Sequence, residues 1–150
     1  MRWMVRGLGL LVAAALALGV WLVTGAARGP NVEGRLGFKG LDEPVEVLRD
    51  GNGIPYIFAK NTADLIRAQG FVTAQARIFQ MEAYRAIAMG RLAEAIGEGG
   101  LASDREMRTI GLRRNAERHA QLLTPEAREF LGWYAQGMNA YIEGHAADLP

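Results

Sequence analysis

The sequence predicts an α+β fold, a short N-terminal β-hairpin followed by mainly helical segments, with an apolar helix ahead of both. Three observations carry this. Residues 45–49 and 54–59 read as strands around Asp50-Gly51-Asn52-Gly53, a hairpin-turn sequence. From Leu65 onward apolar residues recur at steps of three and four, the period of one helix face. The run from Gly7 to Ala27 holds no charged residue.

That run comes first in the chain. At about 1.5 Å per helical residue it reaches about 30 Å, the thickness of a bilayer's hydrocarbon core. Arg2 and Arg6 precede it, and Thr24, Gly25, Ala26 and Ala27 are the small residues a signal peptidase accepts. Residues 1–28 therefore read as a transmembrane anchor or a signal peptide. The length speaks for the anchor and the small residues for cleavage. Residues 7–27 make the membrane a partner, and with the N-terminus inside, the rest of the chain works outside the cytoplasm.

Residues 29–44 read as a linker and a first strand. Gly29, Pro30 and Gly34 break regular structure, and Arg35 to Leu41 is a short strand candidate before Glu43-Pro44. Val45 to Arg49 alternates apolar and polar residues. Ile54 to Ala59 returns, with Pro55 confined to an edge or to the strand's start because it lacks an N–H.

Thr62 is placed to cap the first long helix, with Asp64 in its first turn complementing the dipole. Leu65, Ala68, Val72, Ala76, Phe79 and Ala83 form its apolar face, Gly70 marks close packing, and Gly90 ends or kinks it. Arg91 to Ile96 is a further helical segment closed by Gly97 to Gly100. A second helical region runs from about Asp104 to Leu123 with a break near Gly111. The last helix is the clearest. Thr124 caps it, Pro125 fills the first position, and Ala127, Phe130, Leu131, Tyr134, Met138, Tyr141 and Ile142 form a stripe before Gly144.

Composition narrows the function. Of 150 residues, half are hydrophobic and 22% charged, so the chain is globular, and about 120 residues after the leader suffice for one modest domain. A net charge of +1 argues against a nucleic-acid partner. With no cysteine, disulfides and thiolate chemistry are excluded. Ser103, the only serine, lacks a glycine-rich elbow and reads as an N-cap. His119 and His145 lack metal-ligand spacing, and Gly97 to Gly100 lacks the Lys-Ser/Thr of a phosphate loop. Glu82 with Arg85 and Glu94 with Arg91 are helix-surface pairs. The residues by themselves describe a membrane-tethered α+β domain with no visible catalytic, metal or cofactor-binding constellation.

Several stretches taken together resemble the penicillin acylase (penicillin amidase) family of N-terminal-nucleophile hydrolases. They begin with Val45-Glu46-Val47-Leu48-Arg49-Asp50 and Gly53-Ile54-Pro55-Tyr56-Ile57. Gly70-Phe71-Val72-Thr73-Ala74-Gln75-Ala76-Arg77-Ile78-Phe79-Gln80-Met81-Glu82 follows, then Gly90-Arg91-Leu92-Ala93-Glu94 and Gly97. Leu123-Thr124-Pro125-Glu126 and Tyr134-Ala135-Gln136-Gly137-Met138-Asn139-Ala140 complete the set. Tyr56 stands where the family commonly has histidine, and Ala76 where it has aspartate.

The resemblance implies that 45–150 is most of a small-subunit region, an incomplete piece of an αββα fold truncated before the catalytic serine. In that family a precursor cuts itself to expose a serine whose α-amine serves as base for attack on a linear amide. Ser103, between Ala102 and Asp104, does not match that junction, so no catalytic, metal or pocket residue carries over. The implied partners are the remainder of the precursor, its large subunit, and a small-molecule N-acyl substrate such as a β-lactam or an acyl-homoserine lactone. Calcium is implied for the full-length protein and no cofactor for this chain. The implied location is the bacterial inner membrane facing the periplasm, or the periplasm or extracellular space. A membrane-anchored, non-catalytic binding or adaptor domain is the competing reading.

Overall fold

The computed structural model describes residues 14–21, 33–37 and 40–146. The chain divides into two compact units, 1–35 and 36–150. In the first, residues 14–21 are helical and exposed, and the rest of the predicted 7–27 span lies outside the described residues. Among the described residues no helix is long and apolar enough to cross a membrane.

The second unit is mainly helical with one small antiparallel sheet. Strand β1, Glu46–Arg49, pairs with β2, Pro55–Phe58, in the register Glu46↔Phe58, Val47↔Ile57, Leu48↔Tyr56 and Arg49↔Pro55. Pro55 opens its strand, the position its missing N–H permits. Asp50 builds the turn: its Oδ1 accepts the N–H groups of Asn52 and Ile54, both at 2.9 Å, and its carbonyl accepts that of Gly53. Gly53 sits at φ +78°, a conformation that favours glycine. The expected strand over 35–41 does not form in its described residues. Residues 35–37 and 41 have no regular structure, 40 is a turn, and 38 and 39 are outside the description.

Five helices follow: α1 Thr62–Met89, α2 Ala93–Ile96, α3 Leu101–Ile110, α4 Leu112–Gln121 and α5 Pro125–Gly144, with a 3₁₀ turn Gly97–Gly100 between α2 and α3. The cap of α1 is Asn61 and not Thr62. Asn61 Oδ1 accepts the Asp64 N–H at 2.8 Å while its Nδ2 donates to Asp64 Oδ2 at 2.7 Å, a reciprocal pair that threonine cannot make. At the other end Gly90, at φ +66°, closes the helix in the left-handed conformation.

α1 is not one continuous rod. Arg77 leaves helical geometry at φ −144° and ψ 20°, and all the buried residues of α1 precede this kink. Ile66, Ala68, Gly70, Val72, Ala74 and Gln75 are buried, whereas Phe79 and Tyr84 beyond the kink are 74% and 63% exposed. Of the stripe expected from Leu65 to Ala83, Ala68 and Val72 are buried, whereas Leu65, Ala76 and Phe79 are exposed.

The core is the crossing of α1 and α5. At Gly70 a methyl group would overlap the Tyr134 carbonyl, and at Gly137 it would overlap that of Arg67. The two backbones touch there, so both positions require glycine. Phe71 and Tyr141 meet edge to face beside the crossing, ring centroids 5.4 Å apart. In α5, Thr124 caps as expected, its hydroxyl accepting the Ala127 N–H, but the helix runs through Gly144 and ends at His145. Its stripe is only partly covered: Tyr141 is buried and Tyr134, Met138 and Ile142 are half-buried, whereas Phe130 and Leu131 are 44% and 52% exposed.

Candidate functional site

Two buried carboxylates organise the unit. Asp64 is fully buried. Its Oδ1 accepts from the Asp42 N–H at 3.0 Å and from Arg67 Nη1 at 3.0 Å; its Oδ2 accepts from the Glu43 N–H at 2.9 Å and from Asn61. Burial by itself raises this carboxyl, but the hydrogen bonds from Asp42, Asn61, Glu43 and Arg67 outweigh it and hold the group below its ordinary value. Arg67 extends the network to Asp42 at 3.3 Å and to Gln136 Oε1 on α5 at 2.9 Å. The segment before the hairpin, α1 and α5 are thus joined through one charge.

Asp104 does the same for the glycine-rich bend. Its Oδ1 and Oδ2 accept the N–H groups of Leu92 and Ala93 at 2.7 and 3.0 Å, serving from 12 and 11 residues downstream as the cap that α2 lacks. A third brace joins the hairpin to α1, with Arg49 donating to the Gln75 side chain at 2.9 Å and to the Gly53 carbonyl at 3.0 Å.

Between the end of α1 and the α3–α4 corner lies a groove of about 330 Å³ whose lining includes Arg91, Glu94, Met107, Arg108, Arg113 and Arg114. Arg91 grips Glu94 with two hydrogen bonds of 2.8 and 2.6 Å. Those bonds, aided by the positive fields of Arg91, Arg108 and Arg85, hold Glu94 below its ordinary value. Glu82 is lowered in the same way by Arg85. Thr124, Glu126, Ala127, Phe130 and Leu131 line a second, shallower and more apolar hollow at the start of α5.

The residues weighed for chemistry are not brought together. Ser103 is not a cap; α3 already begins at Leu101, so Ser103 lies half-buried in its first turn, and the neighbouring Asp104 caps α2 instead. His119 is exposed on α4. His145 stacks on Tyr141 at 4.3 Å and places Nδ1 2.9 Å from the Tyr141 carbonyl. Among the described hydrogen bonds none joins Ser103 to a histidine. Among the described residues no three acidic or histidine side chains converge, and both oxygens of each buried carboxylate already accept N–H donors.

What the residues do form is a helical scaffold, braced by buried carboxylates and presenting a cationic groove and uncovered apolar faces. The family model described as penicillin amidase matches residues 44–150. The chain is 43% identical over 121 residues to penicillin acylase 2 proenzyme of Pseudomonas sp. (strain SE83), covering 81% of this chain and 16% of that protein. It is 39% identical over 121 residues to the acyl-homoserine lactone acylase QuiP of Pseudomonas aeruginosa, covering 81% of this chain and 14% of that one. Among solved structures, thermostable penicillin G acylase from Alcaligenes faecalis superposes with a TM-score of 0.62 at 32% identity, covering 71% of this chain and 58% of that chain. This chain belongs to the penicillin amidase family. It spans about one sixth of the length of the curated relatives it matches.

Proposed function

We propose that this chain is the leader and most of the small-subunit region of a penicillin-acylase-like amidohydrolase precursor. The whole precursor cleaves linear N-acyl amides, a β-lactam side chain or an acyl-homoserine lactone among them. The nucleophile is a serine exposed at the start of the large subunit, and residues 1–150 supply the scaffold on which that subunit assembles. The observation that carries this reading is the family match over 44–150 with 43% identity to a proenzyme about six times longer than the aligned stretch. Uncovered Phe79, Phe130 and Leu131 on the helices agree with it, because apolar faces of this kind are normally buried against a partner. Residues 7–27 serve as the leader or tether that carries the enzyme to the periplasmic side.

The test is to extend the reading frame past Pro150 and express the product. A Gly-Ser-Asn-like junction, self-cleavage at it, and acyl release from penicillin G or an acyl-homoserine lactone are expected. All three are lost on changing that serine to alanine. A frame without the junction, or turnover by residues 1–150 alone, overturns the reading. Fractionation with alkaline extraction tests the leader; a product retained in the cytosol excludes the exported location.

A further inference from the structure

We propose that the arginine-lined groove between α1 and the α3–α4 corner is an electrostatic socket for an Asp or Glu side chain of the precursor's large-subunit polypeptide. This rests on the reading of the chain as part of a longer precursor.

Two of the four arginines are already matched. Arg91 holds Glu94, and Arg113 holds Glu117 at 2.8 Å. Arg108 and Arg114 are held differently. Arg108 Nε donates to the Gly90 carbonyl at 2.8 Å, and Arg114 Nη1 donates to the Arg108 carbonyl at 3.1 Å. Both guanidiniums are thus hydrogen-bonded to neutral acceptors; Arg108 shares its field with Glu94, while both keep further N–H donors for a ligand. The two left-handed glycines create the space. A methyl group at Gly90 would lie 2.7 Å from Arg108 Cγ, and at Gly111 it would lie 2.5 Å from Arg114 Nη2, so each arginine lies across a glycine backbone.

Arginines lining a groove suit a planar carboxylate, which one guanidinium can engage with two parallel hydrogen bonds. The setting favours a polypeptide over a free anion. Met89 and Met107 line the groove beside the charges, and Ile110 and Leu112, on either side of Gly111 in the chain, are 52% and 42% exposed. Arginine and methionine beside uncovered aliphatic residues is the composition of a protein interface.

The experiment places the photocrosslinker p-benzoylphenylalanine at Arg113, a groove position outside the proposed pair, in the full-length precursor. Crosslinked peptides are identified by mass spectrometry. A crosslink to an Asp- or Glu-containing peptide beyond Pro150 is expected, its yield falling at least fivefold with Arg114→Glu and less with Arg114→Lys, which keeps the charge but not the fork of donors. Should the reversal unfold the chain, Arg114→Gln is used and a fall of about half or more is expected. Crosslinks confined to residues 1–150, or a yield indifferent to Arg114→Glu, overturn the socket. Amide hydrolysis measured on the same preparation separates the two readings, since an active precursor with an empty groove sinks only this one.

Discussion

Asp64 is the residue on which the unit depends most visibly. A carboxylate with no solvent exposure is tolerated because backbone and side-chain donors from Asp42, Glu43, Asn61 and Arg67 satisfy it. Asp64→Asn keeps the shape but removes the charge facing Arg67 and turns one acceptor into a donor pointing at donors. A loss of about 2–3 kcal/mol at pH 7 is expected in urea unfolding. The pH dependence has a definite sign. A carboxyl held below its ordinary value contributes fully above about 3.9, the unfolded-state value, and loses that contribution as pH falls through the folded value. The gap between wild type and Asp64→Asn should therefore be largest above pH 5 and narrow toward pH 3. An unchanged gap across that range would show that the charge is not what Asp64 supplies. Asp104→Ala should act locally. With Leu92 and Ala93 N–H groups uncapped, their amides should exchange with deuterium on the order of tenfold faster while the α1–α5 amides do not change.

At the level of elements, the α1–α5 crossing is set by what is missing from Gly70 and Gly137. Backbone contact brings Phe71 and Tyr141 into edge-to-face contact and lets Arg67 on α1 reach Gln136 on α5. Gly137→Ala forces the helices apart even though alanine is the better helix former, and a net loss of about 3 kcal/mol is expected from the overpacking. Thermal unfolding measures it, and a variant as stable as wild type would show that the crossing yields freely. The kink at Arg77 matters for a different reason. It ends the buried face of α1, so Phe79 and Tyr84 point away from the core that Val72 and Ala74 enter.

For the molecule as a whole, the balance of covered and uncovered surface is the informative quantity. Phe79, Leu122, Phe130 and Leu131 are each more than two-fifths exposed in a unit whose buried hydrophobic core is small. Such a surface binds hydrophobic dyes. Purified residues 36–150 should enhance the fluorescence of 1-anilinonaphthalene-8-sulfonate several-fold, and, on the proposed reading, co-expression with the rest of the precursor should abolish that binding. A segment that melts cooperatively and binds no dye would favour the free-standing adaptor reading.

Local chemistry made much of this legible from residues alone. Asp50 to Gly53 can do little but turn, Pro55 can only begin or edge a strand, Thr124-Pro125 opens a helix, and Gly90 and Gly111 stop helices because they tolerate positive φ. The ordered motifs over 45–142 likewise pointed to the family. Tertiary structure decided what depends on distant partners. Asp64 reads in sequence as a dipole-compensating first-turn acid, and only the approach of residues 42 and 43 and of Arg67 makes it a buried hub. Ser103 reads as a cap, but α3 already begins at Leu101, and the neighbouring Asp104 serves a different helix start 11 to 12 residues upstream. Apolar spacing shows which residues share a helix face but not whether anything covers that face. That is why Phe79 and Phe130, predicted for a core, stand open, while Gly70 and Gly137, which bury no side chain, set the core's geometry.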